Sequence, residues 1–172
     1  MDDTPNGATV WLVCGWPDCG KTTLGDWLHI THGWRHVDME AFQGSFLHWV
    51  WESGGASRLM DALYWAGGAT VLTWGFPADS VQCQSAIRSM VAHGAHPAWL
   101  MADSWALVQA GILANPEKGT AVLASLSAQR SRIERSDAAL SSLFPESSRL
   151  TTLTAARRLP PSEIAQRLRI PV

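Results

Sequence analysis

The sequence predicts an α/β fold: a five-stranded parallel sheet with helices on both faces. Two observations carry that expectation. Short apolar runs alternate along the chain with stretches whose apolar residues recur at helical spacing, the pattern that builds parallel sheets covered by helices. The first run, "ATVWLVC" (8–14), is apolar throughout and rich in β-branched residues, as a strand buried on both faces must be. At 172 residues the chain can fill one substantial core, and 1–172 is read as a single domain.

The elements follow in order. After the first strand, Leu24, Trp27, Leu28 and Thr31 mark one helix face, and Gly33 stops the helix. A brief strand covers 35–38. Phe42, Phe46, Trp49 and Val50 predict a second helix ending at Ser53-Gly54-Gly55, with a third carrying Leu59, Met60 and Leu63. Gly67-Gly68 precedes the apolar run "ATVLTWGFP", ended by Pro77. Val81, Ala86, Ile87, Met90 and Val91 give another amphipathic helix, stopped at Gly94. "AWLMAD" (98–103) is the fourth strand, with a helix behind it to about Leu113. "NPEKG" (115–119) reads as a polar turn within a small lid region near 113–121. One long helix then spans Val122, Leu126, Ile133, Leu140 and Leu143. "RLTTLT" (149–154) is the fifth strand, and "PPSEIAQRL" a closing helix with proline at its start.

Composition narrows the partners. Hydrophobic residues make up 47% and charged residues 16%, as in a compact globular protein. A formal net charge of −2 offers no general attraction to nucleic acid or to an anionic membrane. Between 130 and 169, however, arginines outnumber acids. Three cysteines (Cys14, Cys19, Cys83) without metal-ligand spacing imply a reduced, cytoplasmic setting. The start "MDDTPNG" is acidic and polar and reads as no signal peptide, and no apolar run approaches the ~20 residues of a membrane span. Ten tryptophans against one tyrosine suit core packing or an apolar ligand pocket.

The chemistry begins in "GWPDCGKT". Gly15, Trp16, Pro17, Asp18, Cys19, Gly20, Lys21 and Thr22 satisfy G-x-x-x-x-G-K-[ST], between a predicted strand and a predicted helix. Glycines let backbone amides curl into a nest for phosphate oxygens, and the helix N-terminus adds partial positive charge. Lys21 reaches the β- and γ-phosphates of ATP, and the Thr22 hydroxyl, followed by Thr23, ligates Mg²⁺. The chain has neither the N-K-x-D nor the D-x-x-G of GTPase switches, which favours a small phosphotransferase.

The order of P-loop, second strand ending in Asp-x-acid, third strand ending in a glycine turn, lid and terminal strand-helix resembles the shikimate kinase and gluconate kinase group. These small P-loop kinases have the nucleoside-monophosphate-kinase-like fold. The resemblance implies a three-layer P-loop kinase fold and transfer of the γ-phosphate of ATP to a small hydroxylated acceptor. In "HVDMEAF" it assigns Asp38 to Mg²⁺ and to activating the acceptor hydroxyl, and Glu40 to contacting the acceptor. Physical reasoning reaches the same place, because a carboxylate at the carboxyl end of a parallel strand beside the P-loop faces the ligand crevice. Asp38 also suits a helix cap, and Glu40 a solvated first-turn acid.

The group places acceptor-binding arginines near Arg58 and a glycine turn near Gly75; a surface arginine and a plain tight turn fit equally. Arg130, Arg132 and Arg135 fall within two helical turns, suited to transferring phosphate, to an anionic acceptor or to solvent. Arg157 and Arg158 follow the last strand, where the group's adenine loop lies. Asp103 is a rival acid, as a Walker B carboxylate or a helix cap. His29 and His32, at i, i+3, have the spacing to share a metal, though separate surface or core roles suit them better. The alternatives to a small-molecule kinase, acting as monomer or homodimer, are a kinase for a modified base or hydroxyl in nucleic acid and a non-catalytic nucleotide-binding regulatory module. The negative net charge counts against the nucleic-acid reading.

Overall fold

A computed structural model describes residues 8–114 and 119–172, the side chains of 119–124 excepted. Five strands, β1 (Thr9–Gly15), β2 (Arg35–Asp38), β3 (Ala69–Trp74), β4 (His96–Ala102) and β5 (Arg149–Leu153), form one sheet in the order β2-β3-β1-β4-β5. Every neighbouring pair is parallel. All five predicted strands are present.

Period-two alternation divides the sheet into two faces. Val10, Leu12 and Cys14 of β1 pack with Leu59, Met60 and Leu63 of α2 (Phe46–Ala66), Ile87 and Met90 of α3 (Val81–Ala92), and Leu140 of α6 (Asp137–Leu143). Trp11 and Val13 face the other way, toward Leu24 and Leu28 of α1 (Lys21–His32), Val108 and Ile112 of α4 (Trp105–Ala114), and Ile164 of α7 (Pro161–Leu168). Leu126 of α5 (Gly119–Arg135) joins that second cluster. The result is the expected three layers. Among the described residues no helix is long and apolar enough to cross a membrane.

Three boundaries depart from expectation. The two helices predicted to meet near Gly55 are joined in α2, with a kink at Gly55 (φ 66°, ψ −154°). That backbone state is one glycine reaches without a Cβ penalty, so the chain turns there without leaving the helix pair. Phe42 lies ahead of α2, which starts at Phe46 behind its N-cap Ser45; the Ser45 hydroxyl accepts the His48 N–H at 3.2 Å. The single long helix predicted through Leu143 is broken at Ser136 into α5 and α6. Residues 115–118, which make up all but the last residue of the polar turn and the middle of the lid region, lie outside the described residues.

Candidate functional site

β1 stops at Gly15 and α1 begins at Lys21, leaving a tight loop between them. Gly15 has φ 142°, and a Cβ there would run into the Leu100 backbone of β4. The close approach lets Trp16 N–H donate to the Leu100 carbonyl at 2.9 Å. Gly20 (φ 86°) and Asp18 (φ 59°) are both left-handed; aspartate is among the few non-glycine residues that tolerate that state.

The loop is braced from the far end of the chain. The Arg158 guanidinium donates to the Asp18 backbone carbonyl and to its carboxylate, the latter at 2.6 Å. Buried Thr152, on β5, donates from Oγ1 to the Cys19 carbonyl at 2.8 Å. Lys21 Nζ donates to the carbonyls of Gly15 (3.3 Å) and Trp16 (2.8 Å). The Trp16 indole stacks on Trp105 with centroids 4.3 Å apart. Burial pushes the Cys19 thiol up to about 11. It raises Cys14 further, against the opposing charge of Lys21.

β1 lies between β3 and β4, where the strand order reverses, and a crevice of about 450 Å³ opens at the carboxyl ends of these strands. Gly15, Pro17, Asp18, Lys21 and Thr22 line it from the loop and the start of α1, and Glu40, Gly75, Trp99, Ile112, Gln129 and Arg132 line it from other elements. A neighbouring cavity of about 830 Å³ shares Glu40, Gly75 and Pro77 with it. Gly75 matters for this geometry, since a Cβ there would sit 3.0 Å from both carboxylate oxygens of Glu40.

The structure sorts the residues that the sequence singled out. Of the Asp38–Glu40 pair, Glu40 lines the crevice and Asp38 does not. Asp38 instead accepts the Glu40 N–H at 2.9 Å, fixing the turn that presents Glu40. Arg132 lines the crevice. It lies 3.8 Å from Asp79, which Arg135 also reaches at 3.1 Å. Arg130 is exposed and pairs with Glu134 on its own helix at 2.7 Å. Arg58 sits over the Trp49 ring, 5.6 Å from its centroid, in a separate groove. Arg157 makes two 2.8 Å bonds to Glu163. Those bonds hold the Glu163 carboxyl below the usual range, with Arg167 assisting. Asp103 is exposed just beyond β4, its N–H donating to the Leu153 carbonyl at 3.0 Å. Thr23 is exposed and does not line the crevice. His29 contacts the Trp34 carbonyl through Nδ1 (2.8 Å), while His32 meets the Trp27 ring, so the two have separate partners. Sequence reasoning missed Thr152, Asp79, Trp99 and Gln129. Only Asp79 carried a local signal, in the Pro-Ala-Asp-Ser turn ahead of α3.

No protein-family model matches the chain, and no curated protein does. Solved structures do. A gluconokinase from Sinorhizobium meliloti 1021 aligns over 94% of this chain and 89% of its own, with TM-score 0.53 and 13% identity. A shikimate kinase from Acinetobacter baumannii in complex with shikimate aligns over 94% and 90%, with TM-score 0.53 and 14% identity. A sugar kinase from Janibacter sp. HTCC2649 aligns over 95% and 92%, with TM-score 0.52 and 17% identity. At such identities the likeness speaks for the backbone. With the sheet order and the glycine-rich loop, it shows that the chain has the fold of the small P-loop kinases.

Proposed function

We propose that the protein is an ATP- and Mg²⁺-dependent phosphotransferase acting on a hydroxyl of a small acceptor. The observation that carries this reading is the convergence of Lys21, Thr22, Glu40 and Arg132 on one crevice. The donor set suits the cofactors. Left-handed Gly15 and Gly20 shape a loop of the kind that cradles phosphate. A hydroxyl and nearby carboxylates are oxygen ligands of the type Mg²⁺ takes when substrate phosphates and water complete its shell. Thr22 would hold that ion, with Glu40 a carboxylate on the same crevice, and the ion would supply charge neutralisation at the phosphates.

The side chains then divide the work. Lys21 leaves its two loop carbonyls to neutralise the phosphates, and Arg132 approaches the transferring group from α5. Glu40 orients the acceptor hydroxyl and takes its proton, while Asp38 keeps Glu40 in place. The acceptor oxygen bonds to the γ-phosphorus as the bond to the β,γ-bridging oxygen breaks, and ADP departs. Phosphoryl transfer of this kind depends on positioning and charge stabilisation more than on covalent chemistry by the protein. Free Cys14, Cys19 and Cys83 fit a reducing, cytoplasmic setting for this activity.

The test is Lys21→Ala. We expect transfer to fall by about a hundredfold or more, the scale of losing a charge-stabilising donor, with the melting temperature nearly unchanged. Wild-type turnover in that variant at saturating ATP would remove the P-loop from the mechanism.

A further inference from the structure

We propose that the acceptor carries a protonated amine beside its hydroxyl, and no carboxylate. This rests on the kinase reading above and names the chemistry of its acceptor. The cavity adjoining the phosphate crevice is the space an acceptor would occupy, because the two share Glu40, Gly75 and Pro77. Its further polar lining is Gln43, His48 and Glu52, and its broad apolar walls are Trp51 and Trp74. Neither lysine nor arginine lines it among the described residues.

The charges leave that cavity negative. Glu40 pairs with no cation among the described residues. Glu52 lies 3.5 Å from the His48 ring, a contact at the exposed rim that at most cancels one of the two acids. The arginines closest to it in the chain, Arg35 and Arg58, line a different groove, where Arg58 covers Trp49. Lys21 and Arg132 line the phosphate crevice and not this cavity, so they serve the transferring group.

A carboxylate acceptor would bring a third negative charge between Glu40 and Glu52 with no guanidinium to receive it. An ammonium meets the opposite situation. Carboxylate oxygens pair with it directly, and indole rings such as Trp51 and Trp74 attract a cation through their π faces. Those two rings meet edge to face at 5.8 Å, a fixed apolar corner rather than two loose side chains. With the amine at the Glu52 and tryptophan end, the hydroxyl falls toward Glu40 at the boundary of the two cavities. There its oxygen forms the new bond to phosphorus and its proton passes to Glu40.

The experiment is a coupled ADP-release assay on the full chain with MgATP and three sets of hydroxylated probes. One set carries amines (glucosamine and simple amino alcohols), one is neutral (glucose, sorbitol), and one carries carboxylates (gluconate, shikimate). We expect turnover in the amine set, lost when the amine of the best acceptor is acetylated. Glu52→Gln should raise the KM for that acceptor tenfold or more while leaving the KM for ATP within twofold. A carboxylate or neutral probe with the highest kcat/KM, abolished by Lys21→Ala, would overturn the charge assignment and leave the kinase reading intact. Tight MgATP binding with no turnover in any set would overturn the kinase reading and this proposal with it.

Discussion

Arg158 holds Asp18 at two points, its backbone carbonyl and its carboxylate (2.6 Å), across 140 residues of sequence. Thr152 holds the next carbonyl, that of Cys19, at 2.8 Å. In a planar trans peptide the carbonyl and the following N–H point in opposite directions. Fixing the carbonyls of Asp18 and Cys19 therefore fixes the amides of Cys19 and Gly20, which the phosphate nest needs.

Thr152→Val removes the hydroxyl and leaves a buried carbonyl without that donor, a loss of about 1–3 kcal/mol. We expect it, and Arg158→Gln, to weaken MgADP binding about tenfold by calorimetry, with Thr152→Ser close to wild type. Hydrogen exchange at the Cys19 and Gly20 amides should quicken in both impaired variants. Unchanged exchange and affinity would mean the loop holds its shape without them.

Three acids stand near strand ends, and the structure ranks them. Glu40 lines the crevice, Asp38 secures Glu40 through its N–H, and Asp103 is exposed beyond β4. Glu40→Gln should slow transfer by about a hundredfold or more, the range of general-base loss, with ATP affinity kept. Asp38→Asn should cost less, since an amide oxygen still accepts the Glu40 N–H, and Asp103→Asn least. A larger kcat loss in Asp103→Asn than in Glu40→Gln would move the reacting centre toward β4.

The arginine triplet separates in the same way. Arg132→Ala should reduce kcat tenfold or more, as expected for a cation lining the phosphate crevice. Arg130→Ala breaks only an exposed pair with Glu134, worth about 0.3–0.5 kcal/mol. Arg135→Ala should act weakly, through Asp79. Steady-state kinetics on the three variants decides it: equal effects would make the triplet a solvated helix face.

Thiol chemistry offers a check that needs no substrate. Cys83 is partly exposed, whereas Cys14 and Cys19 are buried. Iodoacetamide at pH 8 should label Cys83 in the folded protein and the other two only after unfolding, because the thiolate is the reactive form. Cys19 ionises near 9 when unfolded and near 11 when folded. The folded state thus binds the extra proton between those values, so stability is complete below pH 9 and declines as pH rises toward 11. A melting temperature that climbs over that interval would contradict the burial of the loop thiol.

The sequence by itself determined the elements and the loop. Apolar periodicity is a local property, so β2 appears at Arg35–Asp38 as expected and α1 ends at Gly33, while the G-x-x-x-x-G-K-T string occupies a strand-to-helix turn. Even the kink at Gly55 was legible as a break, though not as one that α2 passes through. Tertiary structure decided which side chains meet. Asp38 and Glu40 differ by two residues, and the turn that Asp38 closes on the Glu40 N–H aims only one of them at the crevice. Arg157 and Arg158 are adjacent, yet one binds Glu163 beside it and the other Asp18 across the molecule. A long flexible cation takes whichever partner the fold brings within reach. That partner is fixed by the packing of β5 against β4 and of α7 against α1, to which no local pattern of residues refers.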